Sequence, residues 1–300
     1  MELTATGQAI QPIRSVMRIP HGKNLLGMMP GYIDDPRWLG IKVTAVFPDN
    51  FRIGLSSHQG MICMFDADSG SPVGLIDASA VTAIRTAAAS AVATDVLARE
   101  NSTTVGIFGY GEQAATHLEA MSLVRGVTRA LVWGRDFAKA AAFADERRAV
   151  HGFEISPERS CEKVARSCDI LCTVTAAEEP FLQGDWLASG VHLNVVGSSI
   201  PTTAEIDVET VKRARYFTDY VESARALSGD LRRALEVGAV EERHVLGCVG
   251  DVLLGNLEGR RSADDITLFK SLGMSSEDLM AAQFVLQRAA DLDLGFLVDF

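Results

Sequence analysis

The sequence has 300 residues, of which 47% are hydrophobic and 22% are charged, a composition typical of one or two globular domains and not of a disordered chain. Its formal net charge of −11 argues against nucleic acid or an anionic membrane as the main partner, because both require clustered Lys and Arg. The five cysteines form no CxxC pair and no Cys/His cluster has zinc-ligand spacing, which predicts reduced cysteines, no metal site and a cytoplasmic protein.

The first part of the chain, to about residue 78, is predicted to be rich in β-strands. Residues 1–6 lack the basic and apolar regions of a secretory signal, and the chain has no run of roughly eighteen apolar residues, so no membrane span is expected. Short apolar runs separated by Gly, Pro, Asp and Asn predict strands at Leu25–Met29, Gly40–Phe47, Met61–Asp66 and Pro72–Asp77. Strands that follow one another without helices between them indicate an antiparallel or mixed sheet.

Strands and helices alternate in the middle of the chain. Ser79–Arg99 contains no Gly or Pro and many Ala residues, which predicts a closely packed helix. After it, strands are predicted at Thr104–Phe108, Arg129–Trp133, Asp169–Thr175 and His192–Val196, with helices at Gln113–Val124 and Phe137–Val150. This alternation indicates parallel βαβ units. A last helix, from Ser276 to about Asp291, is expected to pack against the first domain.

A glycine-rich turn joins the first of these strands to its helix. In Gly109-x-Gly111-x-x-Ala114, Gly109 permits a tight turn, Gly111 lets the backbone approach a pyrophosphate, and Ala114 allows close helix–strand packing. The N–H groups at the start of the helix favour phosphate. The alternative is an ordinary β–α turn, but the full βαβ context favours a nicotinamide dinucleotide.

The end of the second strand bears on which nicotinamide cofactor is bound. NAD-binding folds usually place Asp or Glu there to bond the ribose 2′-hydroxyl, whereas an Arg accommodates the 2′-phosphate of NADP. Here Gly134 stands where the acid is expected, and Arg135 follows it. The pattern favours NADP(H). NAD(H) stays open because Asp136 comes next.

Three cations in the first hundred residues lie in otherwise apolar surroundings. They are Arg14, Lys42 and Arg85, the last of these within the Ala-rich helix. Such a cation either extends its charge to solvent, is paired, or binds an anion. Anion binding is favoured for Lys42 and Arg85, and Arg14 is left open by this argument. His58 and His192 are better explained as a loop residue and a structural residue.

Several segments together resemble the ornithine cyclodeaminase/mu-crystallin family over nearly the whole chain. The segments are Gln11–Arg14, Leu39–Lys42, Ala83–Ala88, Gly109–Gln113, Asn194–Gly197 and Thr267–Gly273. The resemblance implies an α/β fold with a Rossmann-type doubly wound parallel sheet and a mixed α+β domain for substrate binding and dimerisation. It places the substrate domain at residues 1–98 and 275–300 and the Rossmann domain at 99–274. Members are expected to form homodimers and to carry a further N-terminal strand and helix.

The resemblance also implies roles for individual residues. The positions matching Arg14, Lys42 and Arg85 hold the carboxylate of a small imino or amino acid, and the lysine can also transfer a proton; Lys42 and Arg85 are therefore the predicted catalytic residues. Cofactor contacts are expected from Thr86, Gly109, Gly111, Glu112, Gln113, Arg135, Thr175, Gly197 and Lys270. The implied activity is an NAD(P)H-dependent imine (ketimine) reductase or amino-acid dehydrogenase, closest to the mu-crystallin side of the family.

One substitution separates the possible activities within the family. Ornithine cyclodeaminase carries an Asp that deprotonates the side-chain amine, and the matching position here is Ser199, a predicted substrate contact. A serine hydroxyl lacks the basicity of a carboxylate, which counts against cyclisation of ornithine. Two alternatives remain: ornithine cyclodeaminase itself, and a mu-crystallin-like protein that binds NADPH and a small ligand without turnover.

Overall fold

Two β-sheets organise the chain, one antiparallel and one parallel. The computed structural model describes residues 1–298, apart from the side chain of Phe51. The strands are β1 (Ala9–Ile10), β2 (Ser15–Arg18), β3 (Leu25–Ile33), β4 (Trp38–Val46), β5 (His58–Asp66), β6 (Pro72–Asp77), β7 (Thr104–Phe108), β8 (Arg129–Trp133), β9 (Glu154–Pro157), β10 (Ile170–Thr173), β11 (His192–Val195), β12 (Arg215–Thr218), β13 (Val245–Cys248) and β14 (Thr267–Lys270).

Helices fill most of the remaining chain. They are α1 (Glu2–Ala5), α2 (Ala78–Leu97), α3 (Glu112–Val124), α4 (Phe137–Arg148), α5 (Cys161–Ser167), α6 (Val208–Arg213), α7 (Val221–Leu227), α8 (Gly229–Glu236), α9 (Val249–Leu253) and α10 (Ser275–Asp291), with short 3-10 turns at Pro48–Ile53, Gly184–Trp186 and Glu242–His244. The chain divides into two units: unit 1 is Met1–Arg85 with the segment from Gly273 onward, and unit 2 is Thr86–Leu272.

Unit 1 is built on the antiparallel sheet. Its strand order is β1-β3-β4-β5-β6. Strand β2 pairs with the N-terminal part of β3, and β1 pairs with its C-terminal end. Helix α10 lies close against one face because that face carries glycines: a Cβ on Gly40 would lie 2.5 Å from Leu279 Cδ2, and one on Gly74 would lie 2.6 Å from Leu286 Cδ2. Leu279 is fully buried in the same cluster as Ile62. Helix α10 therefore packs on the sheet of unit 1.

Unit 2 is built on a fully parallel sheet of eight strands in the order β13-β12-β14-β11-β10-β7-β8-β9. The chain moves outward in one direction from β7 through β8 to β9, and in the other direction from β10 through β11. Dinucleotides bind at the carboxyl ends of the strands where the order reverses, which here is between β7 and β10. The predicted fold class, a Rossmann-type sheet plus a mixed α+β domain, is confirmed.

The predicted elements differ from the observed ones mainly at their ends. The predicted strand Asp169–Thr175 is shorter and spans Ile170–Thr173; the side chain of Asp169, just before it, accepts hydrogen bonds from the backbone N–H groups of Thr103 and Thr104. The functional domain boundaries at 98/99 and 274/275 stay a prediction; the two units meet along the chain at Arg85/Thr86 and Leu272/Gly273.

Helix α2 needs separate mention because of its composition. It is 20 residues long with a mean hydropathy of 1.3, which makes it the one helix among the described residues that is long and apolar enough to cross a membrane. Of the apolar 18-residue stretch of this helix, 56% is buried inside the protein. Buried core helices of soluble proteins have the same length and composition, so this helix is weak evidence for a membrane span.

Candidate functional site

The glycine-rich turn has the geometry that a pyrophosphate requires. Gly109 has φ +129°, and a Cβ there would lie 2.8 Å from the carbonyl oxygen of Val174, so a side chain is excluded. Gly111 is the N-cap of α3 and is open, with nothing within 4 Å of where its Cβ would be. Ala114 is fully buried. The N-terminus of α3 therefore has no capping side chain over it and is accessible to an anion.

The predicted cofactor residues gather at one edge of the parallel sheet. Gly109, Gly111, Glu112 and Gln113 follow β7, whereas Arg135, Thr175 and Gly197 follow β8, β10 and β11 respectively. These four strands are neighbours in the sheet. The structure thus brings together seven of the nine predicted positions at the carboxyl ends of adjacent strands.

A buried carboxylate holds two of these loops in place. The side chain of Glu205 accepts hydrogen bonds from Thr175 N at 2.7 Å, Gly197 N at 2.8 Å and Thr173 Oγ1 at 2.7 Å. Burial raises the pKa of the Glu205 carboxyl, and the nearby charge of Lys270 opposes this rise. Sequence reasoning missed Glu205, since nothing in its local pattern marks it as buried.

The end of β8 is arranged differently from an NAD-type acidic site. A Cβ on Gly134 would lie 2.4 Å from the ring of Tyr110, so this position has no room for an acidic side chain. The carboxylate of Asp136 is the N-cap of α4 and accepts from Ala138 N and Lys139 N. Arg135 is exposed. Of the three residues that follow this strand, Gly134 has no side chain and the Asp136 carboxylate caps α4, so Arg135 is the one whose exposed side chain is suited to contact a 2′-phosphate.

The remaining predicted residues of unit 2 are more enclosed. Lys270 is completely buried, and its ammonium group donates to Asp230 Oδ2 at 2.8 Å, so its geometry gives no support to a direct cofactor contact. Thr86 is 6% exposed on α2. Ser199 is half-buried in the loop that follows β11. Ser199 therefore lies near the same strand ends as Gly197. Lys270 instead stabilises these loops indirectly: it pairs with Asp230, whose carboxylate also accepts a hydrogen bond from Glu205 N.

Unit 1 contains a buried cluster of opposite charges around Lys42. Lys42 on β4 is 4% exposed, and its Nζ donates to Asp278 Oδ1 at 2.8 Å. Arg85 on α2 donates from Nε to the same Oδ1 at 2.9 Å. Its Nη1 lies 3.4 Å from Oε2 of Glu277. Two of the three predicted carboxylate-binding cations thus share one buried aspartate.

The electrostatics of this cluster leave Lys42 able to gain or lose a proton near neutral pH. Burial lowers the pKa of Lys42 to about 8, the charges of Arg85 and Arg14 act in the same direction, and Asp278 acts against them. The third cation, Arg14, is half-buried in the segment between β1 and β2. A lysine with a pKa near the working pH is suited to proton transfer.

Sequence reasoning missed both acidic residues of the cluster. Glu277 and Asp278 lie in the first turn of a helix, where acidic side chains are favoured without any partner. A hint was available in the three isolated cations, because a buried cation requires a counter-charge. The sequence separation of 236 residues between Lys42 and Asp278 hides which carboxylate supplies it.

The two histidines considered in the sequence, His192 and His58, lie in different surroundings. His192 is fully buried on β11, its Nδ1 lies 2.9 Å from Thr267 Oγ1, and burial lowers its pKa to about 3, which agrees with the predicted structural role. His58 is exposed at the start of β5. Among residues 1–298, no group of three or more His, Cys, Asp and Glu side chains is arranged to hold a metal ion.

Unit 2 has a switch point between β7 and β10 and a glycine-rich turn with no side chain capping the helix that follows it. Unit 1 has a buried cluster that contains the cations Lys42 and Arg85. These features define the class of dinucleotide-dependent enzymes that act on small acids. The chain matches the model of the ornithine cyclodeaminase/mu-crystallin family over residues 1–293, and it belongs to this family. The predicted family resemblance is therefore confirmed.

Individual relatives agree with this assignment. The ketimine reductase mu-crystallin of Mus musculus is 33% identical over 279 residues, which cover 93% of this chain and 85% of the mouse protein. The structure of the Thermococcus litoralis Δ1-pyrroline-2-carboxylate reductase in complex with NADH and L-proline superimposes with a TM-score of 0.96 at 34% identity, covering 99% of this chain and 92% of that one. A dimeric archaeal alanine dehydrogenase with bound NAD gives a TM-score of 0.93 at 29% identity, covering 100% and 91%.

Proposed function

We propose that this protein is an NAD(P)H-dependent imine reductase that reduces a small imino acid to the amino acid, with amino-acid dehydrogenation as the reverse reaction. The observation that carries the proposal is the buried cluster in which Lys42 and Arg85 share Asp278. Relatives that reduce ketimines and Δ1-pyrroline-2-carboxylate support it. In the reaction, the imine carbon accepts a hydride and the imine nitrogen accepts a proton, which yields an amine and the oxidised cofactor.

The substrate carboxylate is assigned to the cations of unit 1. Arg14 and Arg85 bind it through charge-assisted hydrogen bonds, for which the planar guanidinium group is suited. Lys42 hydrogen-bonds the carboxylate or donates the proton that the imine nitrogen needs. Ser199 contributes a hydroxyl to substrate binding but no general base, so cyclisation of ornithine is not expected.

The nicotinamide cofactor is assigned to the carboxyl edge of the parallel sheet in unit 2. The open Gly111 and the uncapped N-terminus of α3 fit a pyrophosphate, with Thr86, Gly109, Glu112, Gln113, Thr175 and Gly197 around the nucleotide. When bound, the cofactor supplies the hydride. Lys270 acts on it only indirectly, because its ammonium group is buried against Asp230.

We also propose a preference for NADP(H) over NAD(H). Three features support it: Gly134 has no room for an acidic side chain, Asp136 is occupied as a helix cap, and Arg135 is exposed where a 2′-phosphate would lie. The two related structures contain NADH and NAD, so this preference is a specific expectation for this chain.

The assembly proposed is a cytoplasmic homodimer formed through unit 1. The face of the antiparallel sheet opposite α10 carries apolar side chains that remain exposed, including Leu39 at 39%, Met61 at 46% and Leu75 at 63%. An apolar sheet face of this kind is typical of an interface. A dimer is expected by sedimentation at micromolar concentration, and a monomer would refute this part of the proposal.

The test of the proposed activity is oxidation of NADPH and of NADH followed at 340 nm. The substrates are cyclic imino acids, 2-oxo acids with ammonia or methylamine, and L-ornithine as a control. We expect the cofactor to be oxidised in the presence of one class of imine, and NADPH to be preferred over NADH. Ammonia release from ornithine without net oxidation would replace the reductase by a cyclodeaminase. Binding of NADPH with no turnover of any imine would support the mu-crystallin-like binding role.

A further inference from the structure

One carboxylate, that of Asp278, contacts two of the cations assigned to the substrate. Its Oδ1 accepts from Lys42 Nζ at 2.8 Å and from Arg85 Nε at 2.9 Å, and its Oδ2 lies 2.7 Å from the same Nζ. The Asp278 side chain is 1% exposed, so these contacts are shielded from solvent. Such a group fixes where both cations point.

The fold places this carboxylate with little freedom. Asp278 lies in the first turn of α10, next to Leu279, which packs against Gly40 on β4 two residues before Lys42. A Cβ on Gly31 would also collide with Ser275 at the start of this helix, 2.5 Å from its Oγ. The close approach of helix and sheet is what brings the Asp278 carboxylate to the Lys42 ammonium.

Charged and titratable groups face Lys42 from each neighbouring element. They are Arg14 from the segment after β1, His58 from β5, Arg85 from α2 and Asp278 from α10. Glu277, also from α10, lies against Arg85. Among the groups named here, with His58 neutral, there are three cations and two carboxylates.

We propose that Asp278 is a positioning residue that keeps Lys42 charged at neutral pH and aims it, together with Arg85, at the substrate carboxylate. This inference rests on the proposed function for its substrate. Burial and the charges of Arg85 and Arg14 all favour loss of the Lys42 proton, and Asp278 opposes them. Without the Asp278 charge, Lys42 becomes neutral at lower pH and the cluster binds an anion less well.

The first experiment compares the pH dependence of kcat/KM for imine reduction in Asp278→Asn with that of the unmodified enzyme. Activity that needs a charged Lys42 falls above pH 8 in the unmodified enzyme. In Asp278→Asn this basic limb is expected to move down by about one pH unit or more, with KM raised by about 10-fold or more. Glu277→Gln removes the same charge one residue away and is expected to move the limb less. Asp278→Glu, which keeps the charge, is expected to restore the limb towards pH 8.

A second measurement observes Lys42 directly. The chain contains six lysines, so the 13Cε signals of protein labelled with [6-13C]lysine are few, and the signal lost in Lys42→Arg identifies Lys42. In the unmodified protein this signal is expected to titrate near pH 8. A Lys42 that is already neutral at pH 7 would overturn the inference, even if Asp278→Asn does not fold. So would an Asp278→Asn protein with an unchanged basic limb and an unchanged Lys42 titration.

The two measurements separate the inference from the proposed function. If the unmodified enzyme reduces no imine and oxidises no amino acid, the function is wrong, and the Lys42 titration in the two proteins still decides whether Asp278 keeps Lys42 charged. If imine reduction is observed but Asp278→Asn behaves like Glu277→Gln in both measurements, the function stands and the role of Asp278 is refuted.

Discussion

Replacing Arg135 by Gln tests the cofactor preference most sharply. A hydrogen bond between a guanidinium group and a phosphate contributes about 1.5–3 kcal/mol, equivalent to about 10- to 150-fold in affinity. Because Arg135 is exposed, solvent screening places the effect at the lower end. We therefore expect the KM for NADPH to rise about 10-fold in Arg135→Gln, with the KM for NADH changed less than about twofold.

The assay is initial-rate oxidation of each cofactor at a fixed imine concentration. Arg243→Gln is a matched control, because Arg243 is also exposed but lies beside β13, at the opposite edge of the sheet from β9. It changes the net charge equally and is expected to leave both KM values unchanged. Equal losses for NADPH and NADH in Arg135→Gln, or an undiminished preference for NADPH, would refute the reasoning.

Three further predictions concern the two clusters and the core. Lys42→Met is expected to lower kcat/KM by about 10- to 100-fold while the Kd for NADPH, measured by calorimetry, stays within about twofold; full activity would exclude the assigned role. Gly109 has φ +129°, so Gly109→Ala is expected to lose about 1–3 kcal/mol of unfolding free energy in urea and to weaken NADPH binding. Gly126→Ala, where the added Cβ would stand in open space, is expected to do neither. Equal stability and equal NADPH binding in the two variants would contradict this. Burial lowers the pKa values of His117 and His192 to about 4 and about 3 in the folded protein, so both side chains are neutral there. In the unfolded chain they bind protons below a pH of about 6.5. The free energy of unfolding therefore falls as the pH drops below about 6.5. At pH 5 each costs about 2 kcal/mol relative to pH 7, and His117→Gln should reduce that loss in urea titrations; an unchanged loss would show that the histidine is not responsible.

Local patterns were sufficient for the elements around the glycine-rich turn. β7 and β8 were predicted with the bounds that they have, because a short apolar run followed by Gly marks a buried parallel strand. β14 was not predicted as a strand. Its last residue is Lys270, and a lysine in a sequence predicts a position at the surface. This lysine is buried only because its ammonium group pairs with Asp230. A buried ion pair between distant segments cannot be seen in a local pattern.

The candidate site shows the same division. Lys42 and Arg85 stood out because a cation in an apolar run is energetically costly unless it is paired or binds an anion. Asp278 did not stand out, since an acidic residue at the start of a helix already has a local explanation. The pairing depends on how closely α10 packs on β4, and that follows from glycines at positions 31 and 40 acting together with Leu279.

Transfer of deuterium from the cofactor to the product tests the central claim most directly. The enzyme is incubated with NADPH that carries deuterium at both C4 positions of the nicotinamide and with a cyclic imino acid, and the amino acid formed is examined by mass spectrometry. Hydride transfer to the imine carbon predicts a product that is one mass unit heavier, with the deuterium on the α-carbon and one cofactor oxidised per product. An unlabelled product, or ammonia released without net oxidation of the cofactor, would contradict the assignment as an imine reductase.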